Sequence, residues 1–405
     1  MTLPTFIRET GACARKMRVG FVHCFATHYT KRTFELLAER CDVEFLFFSG
    51  GDVHYWPAEH GVQKGSFVYE YLSGFDIVGT RIVPSLPGKL LRGNYDLIVK
   101  CVNGRFALPI AYLAARLRHR PFILWTGIWS RIRTPFHSLF FPAIHYIYRH
   151  ADAIMVYGEH VKSYLVTEGV RPERIFVAPH AIDNGSYSRI VPEAERLEIR
   201  QLLGIPQDKK VILYLGRLVT AKGVNILIES LAKVRPTDAV LVIAGKGPEK
   251  GALEDLVARH ELAGLVRFAG YIPIEKATAY YSLAYVLVLP SISTATFREP
   301  WGLVVNEAMN QGVPVIATDA VGAAAGGLLQ DNVNGFVVPE QDVSELAQSL
   351  KRILDDTELR SRFSKNAKKI INGWNQERMA ERFMEAFEFV LSEKHPVRRQ
   401  GREAQ

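Results

Sequence analysis

The sequence predicts two doubly wound α/β units in tandem, each a parallel sheet covered by helices, facing a central cleft. Three observations carry this. Short continuous apolar runs, rather than alternating ones, recur along the whole chain, as expected of strands buried on both faces. Helical stretches separate most of them, which makes each unit a series of strand–helix–strand crossovers and the sheets parallel. The length, 405 residues, is more than one core of ~100–200 residues accommodates.

The elements follow in order. An apolar run at 18–24 is followed by a helical stretch at 31–40 and a second strand at 43–48. A strand at 95–102 precedes a helix at 107–117, and further strands fall at 122–125, 153–156 and 175–178. From 184 to 210 the alternation stops. Asn184-Gly185-Ser186 and Pro192 punctuate it and a polar helix spans 193–203, which puts a domain boundary near Arg189. Alternation resumes with strands at 211–215, 240–244, 266–269, 286–289 and 313–317, and helices at 224–234, 251–260, 274–283, 304–311 and 342–354.

Composition narrows the class. The chain is 48% hydrophobic and 23% charged, an ordinary globular balance rather than a disordered or fibrous one. Its net charge of +8 is unevenly spread. Residues 101–150 hold Arg105, Arg116, Arg118, Arg120, Arg131, Arg133 and Arg149 and no acid. No apolar run approaches the ~18 residues that span a bilayer, and 1–16 lacks a signal-peptide core. Cys13, Cys24, Cys41 and Cys101 form no Cys-x-x-Cys pair, so a reduced chain without structural zinc or disulfides is expected. The expected location is the cytoplasm, with a peripheral seat on the inner face of the plasma membrane left open.

In doubly wound sheets ligands bind beyond the carboxyl ends of the strands. In the first half that rule selects His28, Asn103, Arg105, Thr126, Trp129, Glu159 and His180; in the second it selects Gly216, Arg217, Lys222, Lys246 and the segment from Ser291 onward. Three constellations stand out among these. In Gly216-Arg217-Leu218-Val219-Thr220-Ala221-Lys222-Gly223 a strand ends at a glycine, and an arginine and a lysine follow at the start of a helix. Amides, guanidinium and ammonium together suit a diphosphate; two solvated basic residues are the alternative. Ala244-Gly245-Lys246-Gly247-Pro248 is a strand–helix turn that either meets a nucleobase edge or is only a tight turn. In Arg298-Glu299-Pro300-Trp301-Gly302-Leu303-Val304-Val305-Asn306-Glu307 one glutamate precedes a proline on a loop and the other sits among apolar residues at a helix start. A buried carboxylate needs donors, which ribose hydroxyls or a local side chain supply.

With Gly312-Val313-Pro314-Val315 and Asn334-Gly335-Phe336-Val337-Val338-Pro339, these motifs recur in an order from about 211 to 354 that resembles the donor half of retaining GT-B glycosyltransferases of family 4. The resemblance implies a GT-B fold, two Rossmann-like domains about a cleft: an acceptor domain at 1–189, a nucleotide-sugar donor domain at 190–372, and a segment at 373–405 that crosses back from Trp374 and ends in a basic tail. It implies catalytic roles for Glu299, Arg217 and Lys222. Donor contacts fall to Gly216, Arg217, Lys222, Lys246, Glu299, Trp301, Gly302, Leu303 and Glu307, the backbone serving around Trp301 and Glu307 taking ribose. Asp183 is read as structural. Acceptor-side candidates are His28, Asn103, Arg105, Thr126, Trp129 and His137.

Three positions depart from the family pattern. Phe25-Ala26-Thr27-His28 replaces a glycine-rich loop, Trp125-Thr126-Gly127 stands where many members place a histidine, and Gly322-Ala323-Ala324-Ala325-Gly326 replaces Gly-Gly-x-Pro-Glu.

The expected activity is retaining transfer from a nucleotide sugar, UDP-linked first and GDP-linked next, to a lipid-linked, glycan or other anionic acceptor. No carboxylate nucleophile for a double displacement is identifiable; the resemblance implies front-face substitution, in which the leaving phosphate helps deprotonate the acceptor. No Asp-x-Asp pair occurs, so no metal and no further cofactor are expected. The alternatives are a soluble transferase acting on a small metabolite or sugar phosphate, and a catalytically weak nucleotide-sugar binder. The basic, aromatic stretch 125–149 fits an anionic membrane or acceptor, or a helix packed in the first domain. It contains no nucleic-acid recognition module.

Overall fold

The computed structural model describes residues 15–49, 64–131 and 135–394, with the side chains of 132–139 left out. The first sheet has seven parallel strands: β1 (Arg18–His23), β2 (Asp42–Phe47), β3 (Val68–Tyr71), β6 (Leu97–Cys101), β7 (Phe122–Thr126), β8 (Ala153–Val156) and β9 (Ile175–Val177), ordered β3-β2-β1-β6-β7-β8-β9. A short antiparallel hairpin of β4 (Phe75–Ile77) and β5 (Thr80–Ile82) stands beside it. The second sheet has six parallel strands: β10 (Lys210–Leu215), β11 (Ala239–Ala244), β12 (Val266–Gly270), β13 (Val286–Leu289), β14 (Val315–Thr318) and β15 (Gly335–Val338), ordered β12-β11-β10-β13-β14-β15. In both sheets the order reverses beside the first strand, between β1 and β6 and between β10 and β13. Ligand crevices open at such switch points.

The inner strands are buried throughout, as their largely apolar sequences require, with Lys100 in β6 buried among them. The reading of the sequence places no element between β2 and β6, where the structure has β3, the hairpin and the helix Ser85–Arg92. Those short strands are half-exposed or exposed, so burial wrote no apolar run into them. It also assigns neither the helix Thr357–Ile371 nor β15. The basic, aromatic stretch forms the helix Pro135–His150.

Two cores result. One runs from Val19 to Ala178 and the other from Ile182 to Ile371. The segment from Ile182 to Val191 packs with the second core, so the crossover lies a few residues before Arg189. The chain then returns. The helix Gln376–Lys394 carries Met379, Ala380, Phe383, Ala386, Phe387 and Val390 at helical spacing into the first core. Phe383 lies 5.9 Å from the Phe21 ring and 5.4 Å from the Trp125 ring. Gln376 Nε2 donates to the carbonyl of Tyr29 at 2.5 Å, and Arg382 Nε to that of Val177 at 3.0 Å.

Phe383 is fully buried, so Phe383→Ala is expected to destabilise the first unit by about 3–5 kcal/mol. Urea denaturation followed by fluorescence measures it.

Candidate functional site

The site begins where the chain leaves β10. Gly216 and the exposed Arg217 follow the strand, then one 3-10 turn, Thr220–Lys222, then the helix Val224–Val234. The helix therefore starts after Lys222 rather than at it. Gly223 makes this corner with φ of +62°, and a Cβ there would lie 2.0 Å from the carbonyl oxygen of Pro290, so only glycine fits. Ile292 N donates to the carbonyl of Ala221 at 2.9 Å, stitching the turn to the loop after β13.

That stitch sets Lys222 against Glu299. The ammonium and the carboxylate form an ion pair whose side chains are 12% and 9% exposed. Ser291 Oγ donates to the same Glu299 oxygen at 3.1 Å. Two opposite charges are thus held together out of bulk water, where either alone would be costly. Beyond Glu299 the chain turns at Gly302, with φ of +92°; a Cβ there would lie 2.7 Å from Leu289 Cδ2. Leu303 then caps the helix Val304–Asn310.

Glu307 lies in that helix, buried, and accepts from Tyr281 Oη at 2.5 Å. Burial pushes its carboxyl up from 4.5 to about 6, while the Tyr281 hydrogen bond and the nearby Tyr187 hydroxyl pull it part of the way back. The local partner foreseen as the alternative for this residue is therefore present. Trp301 turns its indole away into the seam between the units. Its Nε1 donates to Asn306 Oδ1 at 2.8 Å and its ring lies 5.1 Å from Trp374, which leaves only its backbone on the cleft side. Lys246 is exposed and sits over the Tyr271 ring at 4.8 Å.

The first-domain candidates scatter. His28 opens the helix His28–Arg40 behind the capping Thr27, edge-on to Tyr29 at 5.1 Å. Asn103 and Arg105 are exposed beyond β6, and the Asn103 carbonyl accepts from the buried Lys100 Nζ at 2.6 Å. Thr126 is buried and its Oγ1 accepts from Ile128 N at 3.1 Å, a structural contact. The His137 side chain lies outside the described residues. Trp129 reaches the donor side, where its Nε1 donates to the carbonyl of Glu299 at 3.0 Å, and the carbonyl of His180 accepts from Asn306 Nδ2 at 3.1 Å. Asp183 caps the helix Asn184–Tyr187 by accepting from Gly185 N at 3.1 Å.

Among the described residues one group has metal-ligand chemistry: His23, Cys24 and Cys101, with ligand atoms within 4.8 Å of one another. His23 Nδ1 lies 2.9 Å from the carbonyl of Phe25, which only accepts, so that nitrogen carries a proton. Lys100 Nζ lies 3.4 Å from Cys101 Sγ. As arranged, the cluster is a hydrogen-bonded group rather than a ligand set.

Comparison with known proteins gives the family. The family described as Glycosyltransferase Family 4 matches residues 26–185, and Glycosyl transferases group 1 matches residues 195–370. The chain belongs to glycosyltransferase family 4. Its fold is GT-B, two facing Rossmann-like units. It is 37% identical over 177 residues to alpha-D-kanosaminyltransferase of Streptomyces kanamyceticus, covering 43% of this chain and 44% of that protein. It is 30% identical over 239 residues to D-inositol 3-phosphate glycosyltransferase of Geodermatophilus obscurus, covering 56% and 49%. The chain thus spans about half the length of these curated relatives. The crystal structure of Anabaena Alr3699/HepE in complex with UDP superposes with a TM-score of 0.71 at 21% identity, covering 92% of this chain and all of that one. Sucrose-phosphate synthase of Thermosynechococcus elongatus does so with 0.72 at 21% identity, covering 93% and all of that chain.

In this family 4 chain the sequence reading missed His160, Tyr281 and Tyr187 as site residues. Tyr281 and Tyr187 face Glu307 from other elements, and His160 Nε2 meets the carbonyl of Pro300 at 3.2 Å. Only a facing carboxylate or carbonyl identifies them, and no spacing rule carries that signal.

Glu307 binds its proton more tightly in the folded chain than in the unfolded one. Its contribution to stability therefore falls as pH rises from about 4 through 6. Glu307→Gln is expected to remove that slope and to raise stability at pH 7 by about 2 kcal/mol, seen as a higher denaturation midpoint at pH 7 but not at pH 4.

Proposed function

We propose that the chain is a retaining glycosyltransferase that takes a sugar from a nucleotide diphosphate, a UDP-sugar first and a GDP-sugar next, without a metal ion. The observation that carries this is the shielded Lys222–Glu299 pair at the β10–β13 switch point, with Arg217 on the same loop as Lys222. A diphosphate entering there competes for Lys222 and gains Arg217. Released from its cation, the Glu299 carboxylate accepts from the sugar hydroxyls. Glu307, with Tyr281 on one oxygen, takes the ribose hydroxyls. UDP and glucose in the complexes of the Anabaena protein support this choice of donor.

The step that fits these residues is front-face substitution. The bond from the anomeric carbon to the leaving phosphate oxygen breaks and the acceptor oxygen bonds to the same face. The acceptor proton passes to the departing phosphate. Arg217 and Lys222 take the charge that develops there, on the order of 3 kcal/mol for each well-placed donor. Two cations neutralising the diphosphate make a divalent ion unnecessary.

For the acceptor we favour a lipid-linked or glycoconjugate substrate, met by a cytoplasmic protein seated on the inner face of the plasma membrane. Leu113 and Leu117 on the helix Ala107–Leu117 and Phe140 and Tyr146 on the helix Pro135–His150 are exposed, Leu117 by 69%. The two helices touch through the rings of Tyr112 and Tyr146. The arginines around this face are partly neutralised, Arg116 by Asp152 at 2.6 Å and Arg120 by Asp96 at 3.9 Å. Arg118 and Arg149 stay exposed. Apolar side chains within a basic rim suit an anionic bilayer. The second reading, a small phosphorylated acceptor, draws on the inositol-phosphate relative.

Lys222→Ala and Glu299→Gln are each expected to lower turnover at saturating donor by roughly 100-fold or more, with the fold intact by circular dichroism; wild-type transfer in either would remove the assignment. The same assay in EDTA should keep its rate. The chain should float with anionic liposomes at low salt and release at high salt; failure at low salt would turn the acceptor reading to the small phosphorylated class.

A further inference from the structure

Two side chains of the first unit cross the seam and end on one short stretch of the second. Trp129 Nε1 donates to the carbonyl of Glu299 at 3.0 Å, and His160 Nε2 to the carbonyl of Pro300 at 3.2 Å. Both are buried, 9% and 8% exposed, and their rings meet edge to face at 4.8 Å. A carbonyl only accepts, so His160 carries its proton on Nε2. Burial brings its pKa down to about 4, against a weaker upward pull from the Pro300 carbonyl, so the ring is neutral near pH 7.

The approach is close. A Cβ on Gly158 would come 2.9 Å from His160 Nδ1, and one on Gly326 would come 2.8 Å from it. Gly326 ends the short helix Gly322–Ala325, the alanine-rich stretch that departs from the family pattern. The Arg298 guanidinium lies on the Trp129 ring at 3.6 Å, so the residues on both sides of Glu299 are also held from the first unit.

We propose that Trp129 and His160 are positioning residues that clamp the Glu299 and Pro300 peptides, so that the Glu299 carboxylate is set for the sugar only while the two units are docked. The inference rests on the transferase reading above. In the unliganded site Lys222 and Ser291 hold the carboxylate. A diphosphate that takes Lys222 removes the stronger of these holds, and the carbonyl clamp then keeps the loop in place. Sugar positioning is thereby made conditional on the half of the protein that carries the acceptor.

The test measures kcat for sugar transfer and the Kd of UDP and GDP on the full chain. Trp129→Phe and His160→Phe each remove one buried N–H and are expected to lower kcat roughly tenfold with nucleotide Kd unchanged. His160→Gln, which keeps a donor of similar reach, should recover most of the loss. In the Glu299→Gln background Trp129→Phe should have no further effect on the residual rate, because the two act as a unit. An equal loss in that background, or a parallel loss of nucleotide affinity, would overturn the clamp. If Trp129→Phe does not fold, the His160 pair of variants decides the same question. Unaltered chain that binds neither nucleotide would overturn the transferase reading, and the clamp with it; nucleotide binding and transfer with unchanged kcat in every variant would overturn the clamp alone.

Discussion

A largely shielded ammonium facing a buried carboxylate organises this molecule. Lys222 and Glu299 come from loops after different strands, separated by 77 positions in the chain. Leaving either charge alone at that depth would cost roughly 3–5 kcal/mol, so the loops that carry them must be built to meet. Gly223 turns one loop at a left-handed corner and Gly302 the other. The main-chain bond from Ile292 to Ala221 ties them. Each charge is satisfied by the other, and Ser291 adds a neutral donor to the carboxylate.

The seam between the units extends the same logic. Asn306 receives the Trp301 indole and passes its own amide to the carbonyl of His180 at 3.1 Å. Trp129 and His160 donate across the seam to the carbonyls of Glu299 and Pro300. Those that cross are neutral hydrogen bonds from side-chain N–H groups to backbone carbonyls, directional and individually modest. Such contacts define a docked geometry without the mass of a merged apolar core, and the helix Gln376–Lys394 supplies the apolar share by packing into the first unit. A joint of this kind suits two bodies that grip a ligand between them.

The basic charge found in the sequence also takes a more definite form. Part of the excess in residues 101–150 is spent on Asp96 and Asp152. Arg118 and Arg149 remain exposed at the ends of the two helices that expose Leu113, Leu117, Phe140 and Tyr146. The polarity of that region is therefore a pattern rather than a sum, and only the arrangement of the Ala107–Leu117 and Pro135–His150 helices makes it one.

The sequence by itself determined the strands that are buried on both faces, because continuous apolar runs leave no other place for them, and it determined the order of motifs after β10, because glycine corners and charged residues at strand ends are local requirements. It could not place β3 or the β4–β5 hairpin, whose half-exposed strands are set by a neighbour rather than by their own pattern. Nor could it show that Trp129 serves the Glu299 loop, that Trp301 turns into the seam, or that Tyr281 faces Glu307. Those are contacts between elements far apart in the chain. Tertiary structure decided them, since a hydrogen bond is specified by the position of two atoms in space and only one of them belongs to the local sequence.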